Sequence, residues 1–469
     1  MAFSHNFNPT VLREYDIRGV VGRTLRSIDA FAIGRVFGSI VARSGGTRVA
    51  VGYDGRLTSP KLEQALVDGL RASGMEALRI GCGPTPMLYY TATKLETDGA
   101  VMVTGSHNPP DYNGFKMMLG RKPFFGKQIL DIGTRAAAGD VVSEAIGGEH
   151  RVAIADDYIA RLLSDWDGGD RMLRVVWDNG NGAAGDALQK LVASLPGEHV
   201  VLNGTIDGHF PAHHPDPTIP ANLTELITEV RARKADIGIA FDGDADRIGL
   251  VDDKGEILFG DQIMVVLARD VLKSLPGATI IADVKASQVL FDEITRAGGK
   301  PLMWKTGHSL IKSKMAEIGS PLAGEMSGHI FFADRWYGFD DALYAAVRVL
   351  GIVARMAGKL SVAREAFPHV VNTPELRFDC DDSRKFAVIA EVAARLAAEG
   401  ANVSSIDGVR VQTDNGWWLL RASNTQAVLV ARCEATSAAG LEQLKSALTR
   451  QLAASGLAEP DFSGALSSH

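Results

Sequence analysis

Apolar residues recur in short runs separated by amphipathic stretches, and the two alternate regularly over most of the chain. Runs at 48–54, 77–80 and 100–103 read as strands, with helices predicted over 60–73, where Pro60 stands near the start, and over 87–94. A second unit opens with a helix at 156–163 and a strand at 173–177. A glycine-rich loop at 178–185 leads into another helix, and a strand at 236–241 follows a His- and Pro-rich loop at 209–220. A third runs from Gly260 through a strand at 278–284, a helix opened by 305–308 and a polar loop at 324–329 to a long helix at 341–356. Strand–helix alternation of this kind implies βαβ units and largely parallel sheets.

The rhythm then changes. Strands at 375–380, 409–413, 417–422 and 427–434 are mostly joined by short turns and flanked by helices at 383–398 and 441–453, so the last part reads as a smaller α+β domain. The expected fold class is α/β: three similar mixed α/β domains plus that C-terminal one. A chain of 469 residues exceeds what one core usually serves. We place the boundaries at 1–150, 151–254, 255–367 and 368–469, the first near the weakly patterned, glycine-rich 139–148. Each α/β unit ends one strand in a polar loop, which hints at an internal repeat of about a hundred residues, a normal domain size.

The first of these loops organises the rest. The strand at 100–103 stops at Gly105, Ser106 follows, and Pro109, Pro110 and an Asn113-Gly114 turn stiffen the backbone beyond it. Such a loop can hold a hydroxyl at a strand's end, where open α/β sheets place ligands. A serine esterase is excluded, because Thr104 and Asn108 occupy the two positions where glycine is needed around Ser106.

In the second loop, Asp242, Asp244 and Asp246 alternate with Gly243 and Ala245. In extended backbone this period sends three carboxylates to one side, and carboxylates cluster only around a cation. Hard oxygen ligands favour Mg²⁺ or Ca²⁺. An EF-hand fails, since its sixth position needs glycine and finds Arg247, and its twelfth needs glutamate and finds Asp253. A phosphoserine beside three carboxylates and one Mg²⁺ leaves excess negative charge, for which Arg247 and Lys116 are candidate cations.

The third loop carries Glu325, Ser327 and His329, acceptor and donor groups spaced to suit adjacent sugar hydroxyls; His329 could equally transfer protons. His308 opens a predicted helix, where capping or packing is as good an explanation as ligation. In the last domain, Arg421, Ser423, Asn424 and Thr425 join two strands, and a guanidinium fork beside hydroxyls and turn N–H groups suits a phosphate dianion.

Composition narrows the classes. A net charge of −7 argues against a nucleic-acid partner, so any anionic substrate must be drawn by cations gathered in a cleft. Three scattered cysteines form neither a zinc motif nor a disulfide framework. The polar start at 1–10 is no signal peptide, and no window is long and apolar enough to span a bilayer. The expectation is a cytoplasmic protein with no membrane partner.

With the segments 15–19, 104–110, 242–247, 324–329 and 421–425 read in order, the chain resembles the bacterial phosphomannomutase/phosphoglucomutase group of the α-D-phosphohexomutase superfamily over essentially its whole length. The resemblance implies four domains around a central active-site cleft, the last of them mobile. It implies a phosphorylated Ser106 that joins Asp242, Asp244 and Asp246 in holding one Mg²⁺. Lys116 and His329 become an acid–base pair, with Arg18, Arg247, Lys285, His308 and Tyr15 lining the cleft. Glu325 and Ser327 grip sugar hydroxyls, while Arg421, Ser423, Asn424 and Thr425 bind the phosphate that is not reacting. The implied substrates are small sugar phosphates. Phosphate moves between O1 and O6 of mannose or glucose through a hexose 1,6-bisphosphate that turns around. Ala245 stands where many relatives have glycine. The oligomeric state stays open, a monomer included. Two alternatives remain: a phosphoglucosamine mutase, whose members usually carry glutamine where this chain has Met326, and a metal-dependent sugar-phosphate phosphatase.

Overall fold

A computed structural model describes residues 3–143, 145–169, 171–424, 426–458 and 460–462. Among them four sheets follow one another along the chain. The first three share one plan. Arg48–Tyr53 is flanked in parallel by Glu76–Cys82 and Gly99–Val103. Leu173–Asp178 is flanked in the same way by Gly197–Leu202 and Ile237–Phe241, and Thr279–Asp283 by Lys300–Trp304 and Leu322–Gly324. The repeat hinted at in the sequence is therefore a repeat of topology.

The sheets are mixed, not largely parallel as the alternation suggested. In each, the strand that ends in the polar loop turns straight back into an antiparallel partner: Gly99–Val103 into Tyr112–Leu119, Ile237–Phe241 into Ile248–Asp252, and Leu322–Gly324 into Ile330–Phe332. The candidate loops are hairpin connections, which need no crossover helix. One expected turn is absent. Asn113 and Gly114 lie inside Tyr112–Leu119, because the Asn113 amide is buried and donates to Thr58 and Ser59, and Gly114 pairs with Arg18. A Cβ on Gly114 would stand 2.2 Å from the Ile17 carbonyl oxygen, so the glycine permits strand contact instead of a bend.

The fourth sheet is wholly antiparallel, built from Val371–Asn372, Leu376–Asp379, Asn402–Ser404, Val409–Thr413, Gly416–Ala422 and Val428–Ala435, with Lys385–Ala398 and Ala438–Ala453 packed on it. The segment 209–220 is a loop as expected, closing on a 3₁₀ turn at Pro220–Leu223.

One continuous apolar core crosses all three α/β units, running from Met102 and Tyr158 through Phe241 and Phe332 to the helix Ala342–Arg355. That helix is apolar almost all round and hence buried along most of its length. Its internal cation Arg348 is matched by both oxygens of Asp334, at 2.9 and 2.8 Å. The last domain has its own core and meets the third through a small apolar patch of Val284, Trp417 and Leu419. Beside it Arg410 stacks 3.7 Å over Trp417 and donates to the carbonyls of Val284 and Ala286.

Candidate active site

Ser106 sits just past the strand Gly99–Val103, buried, with φ +49. This left-handed backbone is uncommon for a residue with a side chain and is held from several directions. The Ser106 N–H donates to Thr104 Oγ1 at 2.8 Å, and Thr104 Oγ1 and the Gly105 N–H both donate to Asp54 Oδ2. Arg56, fully buried, donates to the carbonyls of Ser106 (2.8 Å), Asn108 (2.6 Å), Pro109 (2.5 Å) and Tyr112 (3.1 Å) while Nε pairs with Asp54. One guanidinium thus fixes the whole bend. A Cβ on Gly105 would meet it at 2.4 Å.

The serine faces the acidic loop. Ser106 Oγ donates to Asp242 Oδ2 at 2.8 Å. Asp242, Asp244 and Asp246 converge, but not by extended alternation: the loop is a turn, in which Asp242 Oδ1 accepts the N–H groups of Asp246 and Arg247 and Ala245 takes φ +55. The left-handed conformation costs a non-glycine residue about 1 kcal/mol. Burial of the Ala245 methyl in the core returns a similar amount, about 0.8 kcal/mol, so alanine is tolerated here.

The carboxylates differ. Burial and the nearby Asp246 and Asp244 push Asp242 well above the ordinary carboxylate range. Burial opposes charge at Asp244 too, but Lys116 and Thr85 hold that group down. Lys116 lies on the returning strand opposite Met102 and donates to Asp244 Oδ2 at 2.7 Å and to Asp246 Oδ2. Asp244 Oδ1 and Asp246 Oδ1 are buried without a hydrogen-bond partner. One oxygen from each aspartate lies within 4.8 Å of the others, so the three residues could hold a metal ion.

Arg247 and His329 adjoin this cluster. Arg247 Nε donates to His329 Nε2 at 3.0 Å, and the His308 ring stacks on His329 with centroids 5.4 Å apart. His308 is the first residue of the helix His308–Ile318; burial, with Lys312 nearby, depresses its basicity well below the usual imidazole value. Arg18, on Ile17–Val20, donates to Asn108 Oδ1 and to Asp16.

The remaining candidates meet at a junction of three units. Tyr15 donates to the Thr306 carbonyl at 2.9 Å and accepts from Asn424 Nδ2 at 2.7 Å. The Gly307 N–H donates to Glu325 Oε1, and Ser327 Oγ to Glu325 Oε2 at 3.3 Å. Arg421 Nε donates to Asp407 Oδ2 at 3.0 Å, an oxygen that also accepts the Thr306 N–H. Ser423 Oγ accepts the Gln426 N–H. Lys285 pairs with Glu375 Oε2 at 2.8 Å. Thr425 lies outside the described residues.

Arg56, Asp54, Thr85, Asp340, Asp407 and Glu375 were not singled out in the sequence. One signal was available: Asp54 closes a predicted strand and Arg56 comes just past it, much as Ser106 stands just past another.

Models of the phosphoglucomutase/phosphomannomutase family match four consecutive segments: α/β/α domain I over 9–140, domain II over 156–255, domain III over 259–370 and the C-terminal domain over 375–451. The chain belongs to this family. It is 46% identical to a phosphomannomutase/phosphoglucomutase of Pseudomonas putida, over 94% of this chain and 95% of that one. It is 42% identical to a phosphoglucomutase of Neisseria meningitidis, over 94% and 96%. The crystal structure of a phosphoglucomutase/phosphomannomutase family protein from Burkholderia thailandensis superposes with a TM-score of 0.90 at 44% identity, covering 96% of this chain and 98% of that one. Membership makes the chain a phosphohexose mutase, an intramolecular phosphotransferase of the isomerase class. Among the described residues no helix is long and apolar enough to cross a membrane.

Proposed function

We propose that this mutase interconverts hexose 1-phosphate and hexose 6-phosphate, of mannose, glucose or both, through a phosphoryl group carried on Ser106. The observation that carries the reading is the Ser106 Oγ–Asp242 Oδ2 contact of 2.8 Å beside two unpartnered oxygens, Asp244 Oδ1 and Asp246 Oδ1. Three carboxylates and a phosphoserine oxygen make a hard, anionic donor set that fits Mg²⁺. Bound there, Mg²⁺ would spread the charge of the migrating phosphoryl group.

The protein's own groups do the rest. A substrate hydroxyl oxygen attacks phosphorus and the bond from phosphorus to Ser106 Oγ breaks. The proton released by that hydroxyl and the one taken up by Oγ pass through the pair His329 and Lys116. The resulting hexose 1,6-bisphosphate turns around, and its other phosphate returns to Ser106 by the reverse exchange. Arg18 and Arg247 offset charge near the serine. Glu325 and Ser327 accept and donate to ring hydroxyls; Arg421, Ser423, Asn424 and Thr425, with Lys285, Tyr15 and His308, hold the idle phosphate and the ring. Recognition by charge and fork geometry tolerates either end of the intermediate.

In this reading each unit, at 1–150, 151–254, 255–367 and 368–469, contributes one loop. Its three cysteines are free, which suits a reducing cytoplasm. The test is Ser106→Ala, which should abolish turnover while sugar-phosphate binding persists, with no sustained release of inorganic phosphate by the parent. Unchanged turnover in the variant would end the reading.

A further inference from the structure

We propose that Asp340 is a positioning residue for His329: its carboxylate holds the imidazole by Nδ1 and leaves Nε2 as the atom that exchanges protons in the cleft. The inference rests on the reading of His329 as half of the acid–base pair.

Asp340 is fully buried, on the segment between Ile330–Phe332 and the helix Ala342–Arg355, where it bridges to Phe331. Its oxygens divide their partners. Oδ1 accepts from Lys312 Nζ at 2.9 Å. Oδ2 lies 2.9 Å from His329 Nδ1 and 3.9 Å from His308 Nδ1; the closer pair is near enough to bond but is not aligned as a hydrogen bond, and neither atom has another hydrogen-bond partner. His329 Nδ1 is farther, 3.6 Å, from Asp246 Oδ1.

The other edge of the ring fixes the proton. A guanidinium N–H can only donate, so His329 Nε2, which receives Arg247 Nε at 3.0 Å, must present its lone pair. In the neutral ring the hydrogen then lies on Nδ1, towards Asp340. The ring plane is restrained as well, since both His308 and Phe331 stack on it at 25° and 26°. Catalytic contacts are often poorly aligned before substrate binds and tighten in the complex, so this separation of 2.9 Å leaves the bond to form there. When Nε2 takes a proton from a substrate hydroxyl, the imidazolium finds a carboxylate already in place. Burial disfavours that charge on Asp340, yet Lys312 and His329 hold the carboxyl well below its ordinary range. Aligning an imidazole by a buried carboxylate is a recurrent device for setting both tautomer and orientation.

The test compares Asp340→Asn, His329→Gln and the double variant in steady-state turnover, at equal folded fraction by circular dichroism. Asp340→Asn should lower kcat by about 10–100-fold with KM within about twofold of the parent. His329→Gln should lower it further, and the double variant should be no slower than His329→Gln alone, because groups that act as a unit are not additive. A double variant slower by the product of the single effects would assign Asp340 a merely structural role and overturn the inference. Parent-like kcat in Asp340→Asn beside an impaired His329→Gln would overturn it alone. Parent-like kcat in His329→Gln would instead remove the acid–base reading itself. Should Asp340→Asn fold poorly because Lys312 loses its partner, the same comparison is made in a Lys312→Met background, with the same outcomes.

Discussion

A side-chain carbon at Gly243 would stand 2.4 Å from the carbonyl oxygen of Ser106, so the acidic loop and the serine loop touch through bare backbone. That contact sets how closely Asp242 approaches the hydroxyl. Gly243→Ala must push the two loops apart, and a displacement near 1 Å at a reacting centre costs on the order of 100-fold in rate. The variant should fold with a loss of about 1–3 kcal/mol and show a kcat reduced about 10–100-fold. Kinetics and thermal unfolding of the purified variant check this, and parent-like kcat would count against the loop contact as the spacer.

Arg56 should behave as a part of the site although it does not face it. An ammonium cannot reproduce a planar fork that serves four carbonyls and Asp54 together. Arg56→Lys is expected to lose about 2–4 kcal/mol of stability and to lower kcat at temperatures where the variant is still folded. A variant with lowered unfolding temperature but parent kcat would reduce Arg56 to a purely structural role.

Arg421→Lys tests the phosphate loop. Asp407 takes Arg421 Nε, which fixes the plane of the fork against the third unit through the Thr306 N–H. A lysine offers charge without that plane, so KM for the sugar phosphate should rise about tenfold or more. Unaltered KM and kcat would reject the role.

Asp244→Asn removes one of the three carboxylate charges of the acidic loop, at a residue whose Oδ1 is buried without a hydrogen-bond partner. Activity titrated against Mg²⁺ should show a half-saturating concentration at least about tenfold above that of the parent, worth about 1.4 kcal/mol of binding. A curve that superposes on the parent's would argue that Asp244 is not a ligand.

Stability should depend on pH through Asp341. This carboxylate caps the helix Ala342–Arg355, accepting the Tyr344 N–H and the Tyr158 hydroxyl, yet burial pushes its carboxyl up to about 7. In the unfolded chain it titrates near 3.9, roughly the usual value. Between about pH 4 and 7 the folded protein keeps a proton that the unfolded chain has lost, so this contribution is whole below about pH 4 and fades as pH rises through 7. Three units correspond to about 4 kcal/mol. Asp341→Asn cannot titrate and should lose less in unfolding temperature between pH 5 and pH 8 than the parent. Equal losses would contradict the assignment.

The strands and the loops that end them were legible because apolar runs and small or charged residues alternate cleanly there. What pairs with what was not. Tyr112–Leu119 was hidden because Asn113-Gly114 has turn chemistry, and only the buried amide of Asn113 and the close approach of Ile17 make it a strand. The three aspartates were found by a period that the folded loop does not use, since Ala245 reverses the backbone between them. Asp340, Asp407 and Glu375 are single carboxylates without local pattern. Their partners Lys312 and His329, Arg421, and Lys285 lie between 11 and 90 residues away in sequence, a relation that exists only after folding.

The phosphoryl relay through Ser106 is tested most directly by peptide mass spectrometry of protein turned over with isotopically labelled hexose 1,6-bisphosphate. The account predicts the labelled phosphoryl group on Ser106, removed when unlabelled hexose phosphate is added. Sustained turnover with Ser106 never labelled would contradict it.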